Sequence, residues 1–237
     1  MPRVVKHPDQ RRAEILDLAM EAFLRSGYDN VSLNEIISNA GVSKGAFYHW
    51  FASKEALITA LAERNAQRGY KLVEDAVHRC TGDALERLNT LLEAGFDVKV
   101  QMGVPGLLVA MTSLLRPENA YLYDRIVAIS QELFRPLLTE VISDGVHDGV
   151  FNTFDPEGVG DMLQTLAAST NTMLLKVLEA VDGLTREKAI EALTTRYRLH
   201  GYAVDRVLGL PDGSTRALSR DQVQAMCGGQ NGAPRGW

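Results

Sequence analysis

Two short helices joined by a tight glycine turn are the feature that most restricts the fold of this chain. Ser32 and Glu35 stand in the Ser-x-x-Glu order of a capping box and predict the start of the first helix. That helix ends at residues 40–42, Ala-Gly-Val, where the glycine can adopt positive φ. Ser43 then caps a second short helix. This order predicts a helix-turn-helix, in which the second helix enters the major groove of DNA.

The second short helix and its end carry four aromatic rings within five positions. Phe47 and Phe51 lie four residues apart, so they share one helical face and should pack the helix on its neighbours. A helix this short needs such packing, because it is not stable alone. Trp50 either belongs to this buried wedge or flanks it.

The other positions of this helix suit contact with DNA. Tyr48 and His49 should point away from the buried face, beside Lys44. Gly45 has no side chain and would let the backbone approach DNA closely. A plain structural reading is also available, since an aromatic cluster on a short helix is usually only core.

Ser53 predicts the cap of a fourth helix, with Lys54 in its first turn. Unpaired N–H groups and the positive end of the helix dipole favour an anion there, and a phosphate would fit. The alternative is that Lys54 is simply solvated. The ordered combination of two caps, a glycine turn and flanking basic residues favours DNA binding over a plain helical core.

Downstream, apolar residues keep a helical period without a strand pattern, which predicts an all-α protein. We expect a helix-turn-helix domain over residues 1–57, whose fourth helix continues to about residue 79, a helical body over 58–210 and a flexible tail over 211–237. The expected body helices cover residues 83–101, 105–115, 118–143, 156–181 and 186–208.

Local signals refine these helices. Pro136 should kink or split its helix. Asp155 and Thr185 should cap the two last long helices. After Leu208 the chain is rich in turn residues, although residues 219–222 could open one short helix.

Charge and cysteine content narrow the class of protein. Residues 1–71 carry 10 Lys and Arg against 8 Asp and Glu, whereas residues 72–237 carry 15 against 22. This asymmetry is expected of a small basic head on an acidic body. The N-terminus lacks the apolar core of a secretory signal, no run is long enough to span a bilayer, and Cys80 and Cys227 show no metal-ligand spacing. We therefore expect a cytoplasmic protein without a metal or cofactor.

Large apolar, adaptable and polar-tipped side chains in the body suit a pocket for an apolar or amphipathic ligand. The hydroxyls and amide of residues 169–172 could orient a ligand, or could bond to helix carbonyls or across a dimer, which is the favoured reading. The candidate ligand-binding residues are Phe96, Met102, Leu107, Leu108, Met111, Tyr121, Tyr123, Phe134, Met162, Ser169 and Met173.

One short recognition helix reads few base pairs, so specific binding normally requires a symmetric pair of heads. The two last long helices could pair across a two-fold axis as a four-helix bundle. Alternatively, their apolar stripes line only the monomer's own core. The candidate dimer residues are Leu166, Leu174, Leu178, Leu193, Tyr197 and Val204.

Residues 11–57 resemble the N-terminal DNA-binding domain of the tetracycline-repressor-like (TetR/AcrR) family of bacterial regulators. The positions that carry the resemblance are Ile15, Ala19, Phe23, Gly27, Tyr28, Ser32, Ile36, Ala40, Gly41, Val42, Ser43, Gly45, Tyr48, Phe51, Lys54 and Leu57. The resemblance implies contacts to bases and phosphates from the recognition helix and contacts to the DNA backbone from residues around it. The expected DNA-binding set is Ser32, Ser43, Lys44, Gly45, Tyr48, His49 and Lys54.

The resemblance and the residues together predict a dimeric, ligand-responsive transcription regulator of the repressor type. It would bind a palindromic operator and be released by a small apolar or amphipathic effector. An α-helical small-molecule carrier or adaptor without specific DNA binding is the alternative. An enzyme is not expected, because the chain has no nucleophile elbow, phosphate loop, HExxH or EF-hand pattern and its histidines form no sequence cluster.

Overall fold

The computed structural model describes residues 8–101, 116–180 and 182–227, without the side chains of residues 99–101, 175, 178 and 225–227. Within these residues the regular structure is helical, as the sequence predicts. A 3₁₀ turn lies at Pro117–Asn119, directly before the helix that begins at Ala120. In chain order the helices are α1 (Pro8–Ser26), α2 (Leu33–Ala40), α3 (Lys44–Trp50), α4 (Lys54–Arg79), α5 (Ala84–Gln101), α6 (Ala120–His147), α7 (Pro156–Ser169), α8 (Asn171–Glu179), α9 (Gly183–Val207) and α10 (Arg220–Cys227).

The chain forms two compact units. The head unit contains the described residues 8–67 and 116–130, and the body unit contains the rest. The head unit is therefore larger than the predicted residues 1–57. The reason is hydrophobic packing: Leu122 is fully buried in the head core, and Ile126 packs against it.

The head core is built from one face of each helix. Residues from α1 and α2 meet the aromatic wedge of α3 and the first turns of α4. Apolar residues three and four apart line the inward face of α1, as its helical period predicts. The largest buried side chains of this core are Ile15, Leu16, Phe23, Ile36, Phe47, Phe51, Leu57, Ile58, Leu61 and Leu122.

The body unit has two buried clusters. The larger one joins the second part of α4 to α5, α6, α7 and the end of α9, and it includes Leu88, Val141, Ile142 and Leu208. The smaller one joins α8, α9 and α10 around Val177, Leu193 and Val223.

Two local expectations for the body helices change. Helix α6 is not split at Pro136, because it continues through that residue, and the buried neighbours Leu137 and Leu138 hold that part of it in the core. The helix predicted over residues 156–181 is broken at Thr170. The hydroxyl of Thr170 donates to the carbonyl of Ala167 at 2.8 Å, and such back-bonding competes with the helical ladder.

One of the two predicted helix caps is confirmed, and the other lies three residues earlier in the chain than predicted. Asp155 caps α7 by accepting the N–H of Gly158 at 2.9 Å, as expected. The cap of α9 is Asp182 rather than Thr185, because the Asp182 carboxylate accepts the N–H of Thr185 at 2.8 Å. The predicted helix over residues 105–115 lies outside the described residues.

A flexible tail was predicted after α9. The described part of that segment is instead held by hydrogen bonds and buried side chains. The buried carboxylate of Asp205 accepts the N–H groups of Gly213 and Thr215 at 2.6 and 2.8 Å. Buried Asn89 accepts the N–H of Arg216 at 2.8 Å, which ties the segment to α5. Val223 of α10 is fully buried. Buried polar groups paired in this way fix a backbone that the sequence marks only as turn-rich.

Candidate nucleic-acid interface

The turn between α2 and α3 has the predicted geometry. The Ser32 hydroxyl accepts the N–H of Glu35 at 3.2 Å, and the Ser43 hydroxyl accepts the N–H of Ala46 at 3.2 Å. Gly41 has φ of 60°, and its N–H donates to the carbonyl of Ser38 at 3.1 Å. A Cβ on Gly41 would meet no atom within 4 Å, so the requirement for glycine is its left-handed backbone.

The aromatic wedge of α3 is buried as the sequence predicts. Phe47 and Phe51 are 0 % and 1 % exposed, with ring centroids 5.6 Å apart. Trp50 is half-buried and packs against the same core, which fits the alternative that it flanks the wedge. The guanidinium of Arg12 lies 5.3 Å from the Phe51 ring centroid and covers its outer side.

The opposite face of α3 is open. Lys44, Gly45, Tyr48 and His49 are all exposed, together with the capping residue Ser43. Tyr48 is 49 % exposed although its ring edge contacts Phe47. A Cβ on Gly45 would meet no atom within 4 Å, so backbone is accessible there. This face offers an ammonium group, a phenol, an imidazole and bare backbone to a partner.

Arg11 supports the turn, and sequence reasoning did not find it. Its guanidinium donates to the carbonyls of Ala40 and Gly41 at 3.1 and 3.4 Å and pairs with the Glu14 carboxylate at 2.9 Å. The last carbonyls of a helix lack partners within the helix, so a donor at the end of α2 could be expected. The sequence does not say which of several arginines supplies it.

Lys54, for which a phosphate contact is predicted, makes contacts within the head unit. The Lys54 Nζ donates to the carbonyl of Tyr28 and lies 4.0 Å from the Tyr28 ring centroid. Burial of the ammonium lowers the pKa of Lys54 from its ordinary value. Lys54 is therefore turned into the head unit, whereas the other residues of the expected DNA-binding set are exposed.

The described residues of the candidate ligand set are divided between the two units. Tyr121 and Tyr123 belong to the head unit, where the Tyr121 ring stacks on Tyr28 at 5.4 Å. Ser169 donates to the carbonyl of Leu166 at 2.7 Å, as the favoured reading of residues 169–172 expects. Met102, Leu107, Leu108 and Met111 lie outside the described residues.

The remaining ligand candidates are half-buried in the body unit. Phe134 packs edge-on against Tyr70 at 5.4 Å, and Phe96 packs against Tyr197 at 6.1 Å. Met173 packs on the small cluster of α8, α9 and α10. Met162 is half-buried on α7.

The candidate dimer residues pack in the body unit itself. Leu174, Leu193 and Val204 are buried, and half-buried Leu166 and Tyr197 pack against the two body clusters. The side chain of Leu178 is not described. The alternative reading, that these stripes line the monomer's core, fits all five described residues.

Another face of α9 is exposed instead. Leu184, Leu199 and Tyr202 are 67 %, 56 % and 38 % exposed. With three further residues they recur at intervals of three or four positions and therefore lie along one side of the helix. We call this row of residues the α9 stripe. The sequence signal for it was a second set of apolar positions on α9. The α9 stripe consists of Leu184, Lys188, Ala192, Thr195, Leu199 and Tyr202.

The comparisons with known proteins agree with the geometry of the head. Residues 15–61 match the family model of bacterial regulatory proteins, tetR family. The HTH-type transcriptional repressor KstR2 of Mycobacterium tuberculosis is 28% identical over 154 residues, covering 64% of this chain and 74% of that protein. The HTH-type transcriptional activator FasR of Mycolicibacterium smegmatis is 38% identical over 89 residues, 38% of this chain and 40% of that protein.

A solved structure agrees at the level of the fold. The crystal structure of a TetR-family regulator from Syntrophomonas wolfei aligns with a TM-score of 0.59 at 20% identity, covering 82% of this chain and 96% of that one. Within the described residues, no helix is both long and apolar enough to cross a membrane.

The fold and the open face of α3 define a helix-turn-helix transcriptional regulator. Residues 15–61 match the DNA-binding domain of bacterial regulatory proteins of the tetR family, and the relatives to which the chain is similar are transcriptional regulators.

Proposed function

We propose that this protein is a dimeric repressor that binds a palindromic operator through two copies of α3 and is released by a small amphipathic effector. The observation that carries the proposal is the division of α3 into a buried aromatic face and an exposed face with Lys44, Tyr48 and His49. Because its buried face is packed on the head core, α3 can present its exposed side chains to the major groove in one orientation.

The exposed residues have chemistry suited to DNA. An ammonium group attracts phosphates, while phenol and imidazole groups can bond to phosphates or base edges. The Ser32 and Ser43 hydroxyls accept backbone N–H groups within their caps, yet each keeps its own O–H as a donor for a phosphate oxygen. Lys54 does not belong to this set in the arrangement described above.

Dimerisation is assigned to the α9 stripe in place of the residues first expected. The stripe exposes two leucines and a tyrosine on a 25-residue helix, and it also carries Lys188 in the second turn of the helix. A groove of about 500 Å³ lies beside it, and its lining combines the apolar residues Met173, Ala192 and Leu199 with Thr195 and the charged residues Lys188, Glu191 and Arg196. Apolar residues in a row on an exposed helix favour pairing with the same face of a second copy.

Control by an effector is assigned to the body unit. Gln164 on α7 has a buried side-chain Nε2 without a hydrogen-bond partner in the described part of the chain. A buried amide donor without a partner is costly, so a ligand oxygen would be favoured there. An apolar ligand with one polar group would satisfy Gln164 and suit the half-buried aromatic residues of this unit.

Repression is proposed over activation because KstR2, a repressor, aligns over more of this chain than FasR, an activator. An effector releases the operator only if it binds the DNA-free conformation more tightly than the DNA-bound one.

The test is a titration of the full-length protein into labelled DNA from upstream of its own gene, followed by fluorescence anisotropy at several salt concentrations. We expect selective binding over random DNA, loss of selectivity in Tyr48→Ala, and release by an amphipathic compound found by thermal-shift screening. Weak and equal binding to both DNAs would reject the proposal and favour the carrier or adaptor.

A further inference from the structure

Lys54 is held inside the head unit by two kinds of contact. Its Nζ donates to the carbonyl of Tyr28 and lies 4.0 Å from the centroid of the Tyr28 ring and 5.9 Å from that of Phe23. The carbonyl accepts one of the three N–H groups of the ammonium, and the aromatic face attracts its charge, so both contacts hold the ammonium toward the head core. Turning outward to DNA would break both contacts.

Tyr28 is in turn fixed from its other side. Its N–H donates to the side-chain oxygen of Asn119 at 2.8 Å and to the carbonyl of Glu118 at 3.1 Å. Its ring stacks on Tyr121 with centroids 5.4 Å apart. The preceding Gly27 has φ of 84°, and a Cβ there would come within 2.9 Å of Glu118. The turn after α1 therefore packs closely against residues 118–121.

The place of Lys54 in the chain gives these contacts a consequence for α3. Phe51 is the C-cap of α3, and Lys54 begins α4 three residues later. The contacts of the Lys54 Nζ with the carbonyl and ring of Tyr28, which we call the brace, thus connect the loop between α3 and α4 to the turn after α1. The brace constrains the angle at which the exposed face of α3 leaves the head unit.

We propose that Lys54 is a positioning residue that orients α3 through Tyr28 and makes no phosphate contact of its own. This inference rests on the proposed operator binding, and it reverses the role that the sequence resemblance implied for Lys54. A lysine on a phosphate and a lysine in a brace differ in one measurable way. A phosphate contact releases counterions and contributes to the salt dependence of binding, whereas an internal brace does not.

The experiment compares the salt dependence of operator affinity in the full-length wild type and variants, with the folded fraction checked by circular dichroism. Lys54→Met should weaken binding about tenfold or more without changing the slope of log Kd against log salt. Lys44→Met, which removes an exposed lysine of α3, should lower the slope by about 0.9 for each head. Lys71→Met, an exposed lysine of α4 in the body unit, controls for the loss of one positive charge and should change neither quantity.

Three outcomes would overturn the inference. A slope lowered in Lys54→Met as in Lys44→Met would show a phosphate contact. Unchanged affinity with a lower melting temperature would leave Lys54 a structural residue only. Absence of selective binding by the wild type would reject the proposed function and this inference with it, which separates that failure from the other two.

A second variant keeps the test decisive if Lys54→Met folds poorly. Tyr28→Leu removes the ring but keeps the carbonyl and the lysine, and it should also weaken binding with an unchanged slope. The double variant should weaken binding by less than the product of the two single effects, because both residues act through one brace. Independent, multiplicative effects would contradict the proposal.

Discussion

Helices α3 and α9 divide their surfaces in opposite ways. In α3, which has seven residues, Phe47 is buried and the polar side chains of Lys44 and His49 are exposed. In α9, which has 25 residues, Leu193 is buried while Leu184 and Leu199 remain exposed. A polar face on a small fixed helix suits a charged partner such as DNA, and an apolar stripe on a long helix suits a second protein chain. The same protein thus separates its two proposed partners by surface chemistry.

The largest expected effect is in the buried face of α3. Phe47→Ala should destabilise the protein by about 3–5 kcal/mol, because it empties a fully buried aromatic site. Its neighbour Tyr48 provides the control, since Tyr48→Ala alters an exposed side chain and should change stability by about 0.5 kcal/mol or less. Denaturant unfolding measures both variants. Equal losses of stability would contradict the assignment of the two faces.

The next effect is at the α9 stripe. Leu199→Arg should convert the dimer to a folded monomer and weaken association by about 2–4 kcal/mol, because it replaces an apolar residue of the proposed interface by a charged one. Analytical ultracentrifugation over a range of concentrations measures it. Leu193→Ala is the matched change on the buried side of α9, and we expect lower stability of about 2–5 kcal/mol with no direct effect on association. A Leu199→Arg variant that still dimerises would exclude this face.

A smaller effect separates the two glycines of the helix-turn-helix. Gly41→Ala should destabilise by about 1–2 kcal/mol, because alanine is strained at φ of 60°. Gly45→Ala lies in a helix with open space around it and should stabilise by about 0.5–1 kcal/mol. We nevertheless expect Gly45→Ala to weaken operator binding, since the added methyl group stands on the exposed face. Thermal unfolding together with DNA titration distinguishes the two positions.

The smallest effect concerns Gln164. Gln164→Met should raise the free energy of unfolding by about 1 kcal/mol, because it removes a buried amide without a partner and keeps the shape of the side chain. The same variant should bind the effector more weakly and leave operator affinity unchanged. Isothermal calorimetry with a compound from the thermal-shift screen measures the first, and anisotropy the second. Unaltered effector binding would place the ligand elsewhere.

Local chemistry explains which parts of the head could be predicted. The caps at Ser32 and Ser43, the glycine turn and the Phe47 wedge depend on residues within one turn of each other. The inward turn of Lys54 could not be predicted in this way, because the Tyr28 carbonyl and ring that hold it lie 26 positions earlier in the chain.

In the body unit, the same sequence reasoning predicted most of the helices but not which side of each helix is buried. Helix α9 carries apolar residues on more than one side, so periodicity alone does not say whether Leu193 or Leu199 is buried. The choice is made by packing against α8 and α10, which the sequence does not display. The segment after Leu208 was underestimated for a similar reason, since Asp205 and Asn89 bond to it from distant positions.

The central claim is that two copies of the exposed face of α3 read one symmetric DNA site. The most direct measurement is selection of binding sites from a random double-stranded DNA pool by the full-length protein and, in parallel, by Tyr48→Ala. We predict that the wild type enriches an inverted repeat with half-sites about one helical turn apart, or a multiple of that, and that the variant enriches none while retaining its melting temperature. Enrichment of no sequence by the wild type, or of the same repeat by both proteins, would contradict the account.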